Sequence, residues 1–119
     1  ARNVQPDDSA MGHMNNNDRE SIEKATKIVM EKISDTDFKI DDLCMEMAMS
    51  RTLFYGRLKA LTSQAPQDFI RIIRLERAAA LIKGGNSVLD VSVMTGFANV
   101  KHFSTTFKKY FGVSPSKYL

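Results

Sequence analysis

A single cysteine, Cys44, excludes an internal disulfide and any Cys-rich zinc site. Long apolar runs are missing too: the longest, Ala78–Ile82, falls far short of the roughly 20 residues a membrane span needs. No apolar secretory h-region opens the chain. Histidine is scarce, with His13 and His102 alone, and there is no His-Glu-x-x-His, phosphate-cradling glycine loop or Cys/His constellation. An enzyme, a metal centre, a bound cofactor and membrane contact by this segment are therefore not expected. A reducing cytoplasm is the simplest home. What remains, in 119 residues that are 43% hydrophobic and 26% charged, is one ordinary domain or two small helical subdomains.

Acids run short in one part of the chain. Residues 1–48 carry 6 Lys/Arg against 11 Asp/Glu, a net of −5, whereas residues 49–119 carry 11 against 3, a net of +8. A basic C-terminal part suits a polyanionic partner. A solvated basic face without a partner would look the same, and charge alone does not separate the two.

Residues 1–14 are polar, lack periodicity and include Gly12-His13-Met14, the pattern of an expression-tag or cloning remnant. The natural sequence is expected to start near Met14 or Asn15. From Asp18 the pattern is helical. Ile22, Ala25, Val29 and Ile33 form one amphipathic stripe, ended by the polar turn Ser34-Asp35-Thr36-Asp37. A short helix is expected from about Ile40 to Met47, and a second, capped by Ser50, to about Leu61. Pro66 opens a longer helix that stops at Gly84-Gly85. Ser87, with Asp90 three residues on, begins another short helix. Gly96 breaks it, Asn99 caps the next, Gly112 closes that one, and Pro115 opens a final turn. No strand-like alternation occurs, so the chain reads as all-α.

An internal repeat carries most of the information. A shift of 49 residues aligns Ser50 with Asn99, Phe54 with Phe103, Leu58 with Phe107, Lys59 with Lys108, Pro66 with Pro115 and Phe69 with Tyr118. Upstream the shift is 48, aligning Ile40 with Val88, Asp42 with Asp90, Leu43 with Val91 and Cys44 with Ser92. Each unit is thus a short helix, a tight turn and a second helix. Cys44 and Ser92 stand where a small residue lets paired helices approach, so Cys44 reads as packing rather than as a reactive thiol.

At about 100° per residue, the second helices divide into two faces. Phe54, Leu58 and Leu61 make the expected seam of the first, Phe103, Phe107 and Tyr110 that of the second. Opposite lie Thr52, Tyr55, Gly56 and Lys59, then Lys101, Ser104, Thr105 and Lys108. These outer faces lack acids and are rich in hydroxyls and lysine, groups able to bind phosphate oxygens and base edges. A merely solvated face would mix Glu with Lys.

Between the units, Pro66 to Lys83 is 18 residues, or roughly 27 Å of helix. Such a helix could hold two reading helices about one DNA turn apart, roughly 34 Å. Phe69, Ile70, Ile73, Ala80 and Leu81 are its expected packing positions. Arg71, Arg74 and Arg77 either pair with Asp68 and Glu76 or touch DNA. The domain boundaries expected on this reading are 18–83, a first helix-turn-helix subdomain with the linker helix, and 84–119, a second.

The run GFANVKHFSTTFKKYFGVSPSKY resembles the signature of AraC/XylS-type transcription regulators, and MSRTLFYGRLKALTSQAPQDFIRIIRLERAAALI resembles that family's N-terminal half. The resemblance covers roughly Ile22 to Leu119. It implies a seven-helix tandem helix-turn-helix fold whose units are joined by a long central helix. The implied function is sequence-specific binding of double-stranded DNA, reading two successive major grooves with helices near 50–61 and 99–111. The implied base-reading residues are Thr52, Tyr55, Gly56, Lys101, Ser104 and Thr105. Phosphate contacts fall to Ser50, Arg51, Gln67, Asn99, Ser116 and Lys117, joined by Lys59 and Lys108 from the outer faces. His102, at a face edge, divides between phosphate contact and packing. The chain departs from the family where Arg is usual: Gly56 and Thr105 stand there, so the guanine contact lacks its usual residue in both units. Arg57, one residue on, points nearer the core.

The first unit's Met-Ser-Arg start and Arg-Leu-Lys-Ala-Leu-Thr end resemble output domains of bacterial hybrid two-component regulators. RNA polymerase is then a candidate partner, and a second copy another, paired through regions outside this chain. The rival reading is a helical protein-interaction module without DNA binding.

Overall fold

A computed structural model describes residues 16–118. Among them are six α-helices and two 3-10 turns: α1 (Asn16–Glu31), α2 (Ile40–Glu46), α3 (Arg51–Leu61), a turn at Pro66–Asp68, α4 (Phe69–Lys83), α5 (Val88–Met94), α6 (Val100–Phe111) and a turn at Pro115–Lys117. The all-α class holds, but the seventh helix does not form. After Gly112 the chain makes a single 3-10 turn, Lys117 N–H donating to Ser114 O at 3.0 Å, too short for the i→i−4 ladder of an α-helix. The remnant expected at 1–14 lies outside the described residues.

Helix starts follow the expected caps. Ser50 Oγ accepts from Leu53 N–H at 3.1 Å, Ser87 Oγ from Asp90 N–H at 3.1 Å, and Asn99 Oδ1 from His102 N–H at 2.7 Å. At α2 a carboxylate works in the reverse direction, Lys39 N–H donating to Asp42 Oδ2 at 2.9 Å. Gly112 closes α6 in the left-handed region, φ 83°.

The sequence repeat extends to the backbone bonds. In the first unit's turn, Met49 N–H donates to Cys44 O at 3.0 Å and Ala48 N–H to Met45 O at 3.1 Å. Their counterparts are Phe97 to Ser92 at 3.0 Å and Gly96 to Val93 at 3.2 Å. Downstream, Asp68 to Ala65 at 2.9 Å matches Lys117 to Ser114. Both prolines therefore open 3-10 turns, and the long helix expected from Pro66 becomes α-helical only at Phe69.

One residue breaks the symmetry of the turns. The left-handed position held by Gly96 (φ 81°) is held in the first unit by Ala48 (φ 56°), alone among the described non-glycine residues in having positive φ. An L side chain there costs about 1–2 kcal/mol, against roughly 0.5–1 for glycine's extra chain entropy. Ala48→Gly should therefore stabilise the protein by about 0.5–1 kcal/mol. A chemical-denaturation midpoint equal to or below wild type would refute this.

The chain packs as two compact units, one from residues up to Val29 with Lys39–Phe69, the other from Met30–Phe38 with Ile70 onward. The first buries Ile22, Ala25, Val29, Leu43, Phe54, Leu58 and Phe69, with Phe69 edge-on to Phe54 at 5.6 Å. The second buries Leu75, Ala78, Ala79, Ile82, Val91, Phe97, Phe103 and Phe107, with Phe111 and Tyr118 packed against them. Ile70–Lys83 thus groups with the second unit, whereas the sequence assigned it to the first. The reason is visible in α4: its buried stripe is Leu75, Ala78, Ala79 and Ile82, while Ala80, an expected packing position, is exposed. Ile33, expected on the α1 stripe, lies beyond the helix in the loop. Cys44 is buried, and burial and then Asp41 push its thiol pKa up, which suits packing.

Arg74 is held by the loop of its own unit. Its Nη2 donates to two loop carbonyls of the second unit, Asp35 O at 2.8 Å and Phe38 O at 3.4 Å. Burial pulls the pKa of this guanidinium down, with Asp35 opposing. Glu76 is engaged by Tyr110, whose hydroxyl donates to Oε2 at 3.1 Å.

Candidate nucleic-acid interface

α3 and α6 each bury one face in their own unit: Phe54 and Leu58 in α3, Phe103 and Phe107 in α6, all four fully. Tyr110, expected in that seam, is 43% exposed, because its phenol reaches out to Glu76 and only its ring edge packs on Phe111. Leu61 is half-buried.

The opposite faces carry the predicted reading residues. Thr52, Gly56, Lys59, Lys101, Thr105 and Lys108 are exposed; Tyr55 and Ser104 are partly covered. Among the expected phosphate ligands, Ser50, Arg51, Gln67, Asn99, His102, Ser116 and Lys117 are exposed as well. Ser50 and Asn99 already spend a side-chain acceptor on their caps. His102 is exposed, with its ring centroid 6.1 Å from that of Phe97. No Asp or Glu occurs between Glu46 and Asp68, or after Asp90. α3 and α6 therefore each lie in an acid-free stretch of sequence, which favours positive potential along them.

Arg57 is withdrawn from this surface. Its Nη1 donates to Ser21 Oγ at 2.5 Å, and Nε lies 3.8 Å from Asp18 Oδ1, both on α1. It cannot replace the arginine absent at position 56. Gly56 itself has room: an added Cβ would meet nothing within 4 Å. Gly56→Arg should fold, gain up to about 1 kcal/mol in stability and strengthen DNA binding, part of that gain fading with salt. Loss of sequence-specific binding by a folded Gly56→Arg would instead show that the bare backbone approaches DNA.

The wheel missed one residue at this face. Asp41, from α2, lies 3.1 Å from Arg51 Nε. Arg51 in turn donates from Nη2 to the Tyr55 hydroxyl at 3.4 Å, its guanidinium 5.9 Å from that ring. The signal was present in the repeat, where the positions matching Asp41 and Arg51 are the apolar Leu89 and Val100. Elsewhere among the described residues, no cluster of three or more His, Cys, Asp or Glu could hold a metal ion, and no helix is long and apolar enough to cross a membrane.

Comparison with known proteins places residues 43–119 in the family described as "Helix-turn-helix domain". The chain is 35% identical over 102 residues to "Histidine kinase P4" of Formosa agariphila, covering 85% of this chain and 7% of that protein. It is 35% identical over 91 residues to "HTH-type transcriptional regulator MtrA" of Neisseria gonorrhoeae, covering 76% and 30%. The fold matches the crystal structure of a transcriptional regulator with an AraC-type DNA-binding domain from Chromobacterium violaceum. That match has a TM-score of 0.75 and 22% identity, over 87% of this chain and 93% of that one. The chain thus spans under a third of the length of either curated relative.

Proposed function

Since this chain belongs to the AraC-type helix-turn-helix family, we propose that it is the DNA-reading part of a transcription regulator, with α3 and α6 entering successive major grooves of one duplex. The observation that carries this is the matched pair of outward faces. Two helices of the same repeat position bury Phe54 with Leu58 and Phe103 with Phe107, and turn outward hydroxyls, lysines and no acid of their own. On this reading Thr52, Tyr55, Lys101, Ser104 and Thr105 address base edges. Ser50, Lys59, Gln67, Asn99, His102, Lys108, Ser116 and Lys117 address the phosphates that fix register.

The share of each relative that this chain covers supports a role as the output part of a longer regulator; reading DNA would place that work in the cytoplasm. RNA polymerase and a second copy, joined through other regions, are the partners such a role calls for.

Selection from a randomised duplex pool tests the reading. A preferred sequence should emerge, bound with affinity that falls steeply with salt. Lys101→Ala and Thr52→Ala should each cost about 1–3 kcal/mol on the selected site while helical content stays unchanged. A protein-interaction module would select nothing and show no salt-dependent binding to duplex DNA.

A further inference from the structure

We infer that Arg51 is a positioning residue for base reading: tethered by Asp41, it holds the Tyr55 hydroxyl on the outward face of α3 as a hydrogen-bond donor. The inference rests on the proposal that α3 enters a groove.

The chemistry follows from the inventory of donors. A guanidinium has N–H groups to give and no lone pair to accept with, so in the Arg51–Tyr55 bond the phenol oxygen must accept. The phenolic proton is then directed elsewhere. On a face turned to the major groove, it meets acceptors: O6 and N7 of guanine, N7 of adenine or O4 of thymine, whereas cytosine offers only its N4 amine, a donor. A tyrosine free to turn its hydroxyl could accept from the cytosine amine equally well. Arg51 removes that freedom, and Asp41 removes freedom from Arg51 by engaging Nε at 3.1 Å.

Tyr55 lines a surface hollow of about 480 Å3 together with Lys59, Thr62, Ser63 and Gln64. The bond to Tyr55, and behind it the Asp41 carboxylate, raise the pKa of the Arg51 guanidinium above its ordinary value. As the Arg51 and Asp41 side chains are 60% and 69% exposed, the ion pair adds little to stability. Its effect is geometric. It also partly neutralises Arg51, which makes this residue a weaker phosphate ligand than its place at the start of α3 suggests. The second unit has nothing comparable, since the matching positions are Leu89, Val100 and Ser104. One unit therefore reads with a fixed donor and the other with a rotatable hydroxyl.

The test repeats the randomised-duplex selection with wild type, Tyr55→Phe, Arg51→Met, Arg51→Lys, Asp41→Asn and the Arg51→Met/Tyr55→Phe pair. Thermal unfolding serves as the fold control. Wild type should discriminate against cytosine at one base position, a preference that Tyr55→Phe reduces about 10-fold. Arg51→Met should erode the same preference several-fold and add nothing further in the Tyr55→Phe background. Arg51→Lys, which keeps a donor and a charge for Asp41, should restore most of it. Asp41→Asn should blur that base pair while tightening binding to all sequences, because Arg51 is released toward phosphate.

If Arg51→Met instead weakens every sequence alike, lowers the salt slope by about one and leaves the Tyr55 base pair sharp, Arg51 is a phosphate ligand and the inference fails. In that case Tyr55 reading survives. If Tyr55→Phe changes no preference, the inference fails with the Tyr55 assignment. If wild type selects no sequence, it falls together with the proposed function.

Discussion

Gly96→Ala should cost about 2–5 kcal/mol and lower the melting temperature by about 10 °C or more. Two penalties combine. At φ 81° an L side chain pays the left-handed cost of about 1–2 kcal/mol. In addition, a Cβ on Gly96 would lie 2.3 Å from Ile33 O, a backbone atom that cannot swing aside, and 3.2 Å from the Arg74 guanidinium. Relieving that overlap means moving the loop or the turn, at the roughly 1–3 kcal/mol typical of overpacking. The turn sets where α6 starts, so residual folded protein should also bind DNA more weakly. Thermal and urea unfolding followed by circular dichroism check this. A loss below about 1 kcal/mol would mean that loop and turn separate freely.

Phe107→Ala should be comparably damaging, at about 3–5 kcal/mol. The ring is fully buried, with ring centroids of Phe103 at 5.6 Å, Phe111 at 4.5 Å and Tyr118 at 5.2 Å around it. Its removal deletes both the transferred apolar area and the aromatic edges that lock α6 to the turn at Pro115–Lys117. No tryptophan is present, so the summed fluorescence of Tyr55, Tyr110 and Tyr118 gives a second readout beside the helical signal. Unfolding seen by fluorescence should move to lower denaturant by the same margin as the helical signal. A fully stable variant would show that the aromatic cluster is not what holds α6.

What was legible in advance was local or periodic. Ser50, Ser87 and Asn99 cap because a short acceptor before a helix needs only its own next turn. The repeat predicted matched helices, and the backbone bonds of the two turns match. Periodicity failed in α4, where apolar residues at 70, 72, 73, 75 and 78–82 surround the helix and leave more than one plausible stripe. Tyr110 sits at the correct angle for the seam, yet its hydroxyl finds Glu76 on another helix, a contact no wheel contains. Asp41 was missed for the same reason: it acts on the α3 face from α2. Gly96 was readable as a helix breaker, but the carbonyl that forbids a side chain there is supplied by the loop at Ile33.

That loop has an evolutionary consequence. Although the repeat invites a picture of two cassettes laid end to end, the second unit draws Met30–Phe38 from deep inside the first half of the chain. Arg74 grips its carbonyls and Gly96 is moulded to it. A recombination event joining foreign DNA at residue 69 or 70 would deliver α6 without the backbone its turn was fitted to. Lineages that acquire a new second reading helix must therefore change it by point substitution on the outward face, or inherit the loop with it. The two halves are alike in sequence pattern, but the second half's turn is fitted to a loop that lies in the first half of the chain.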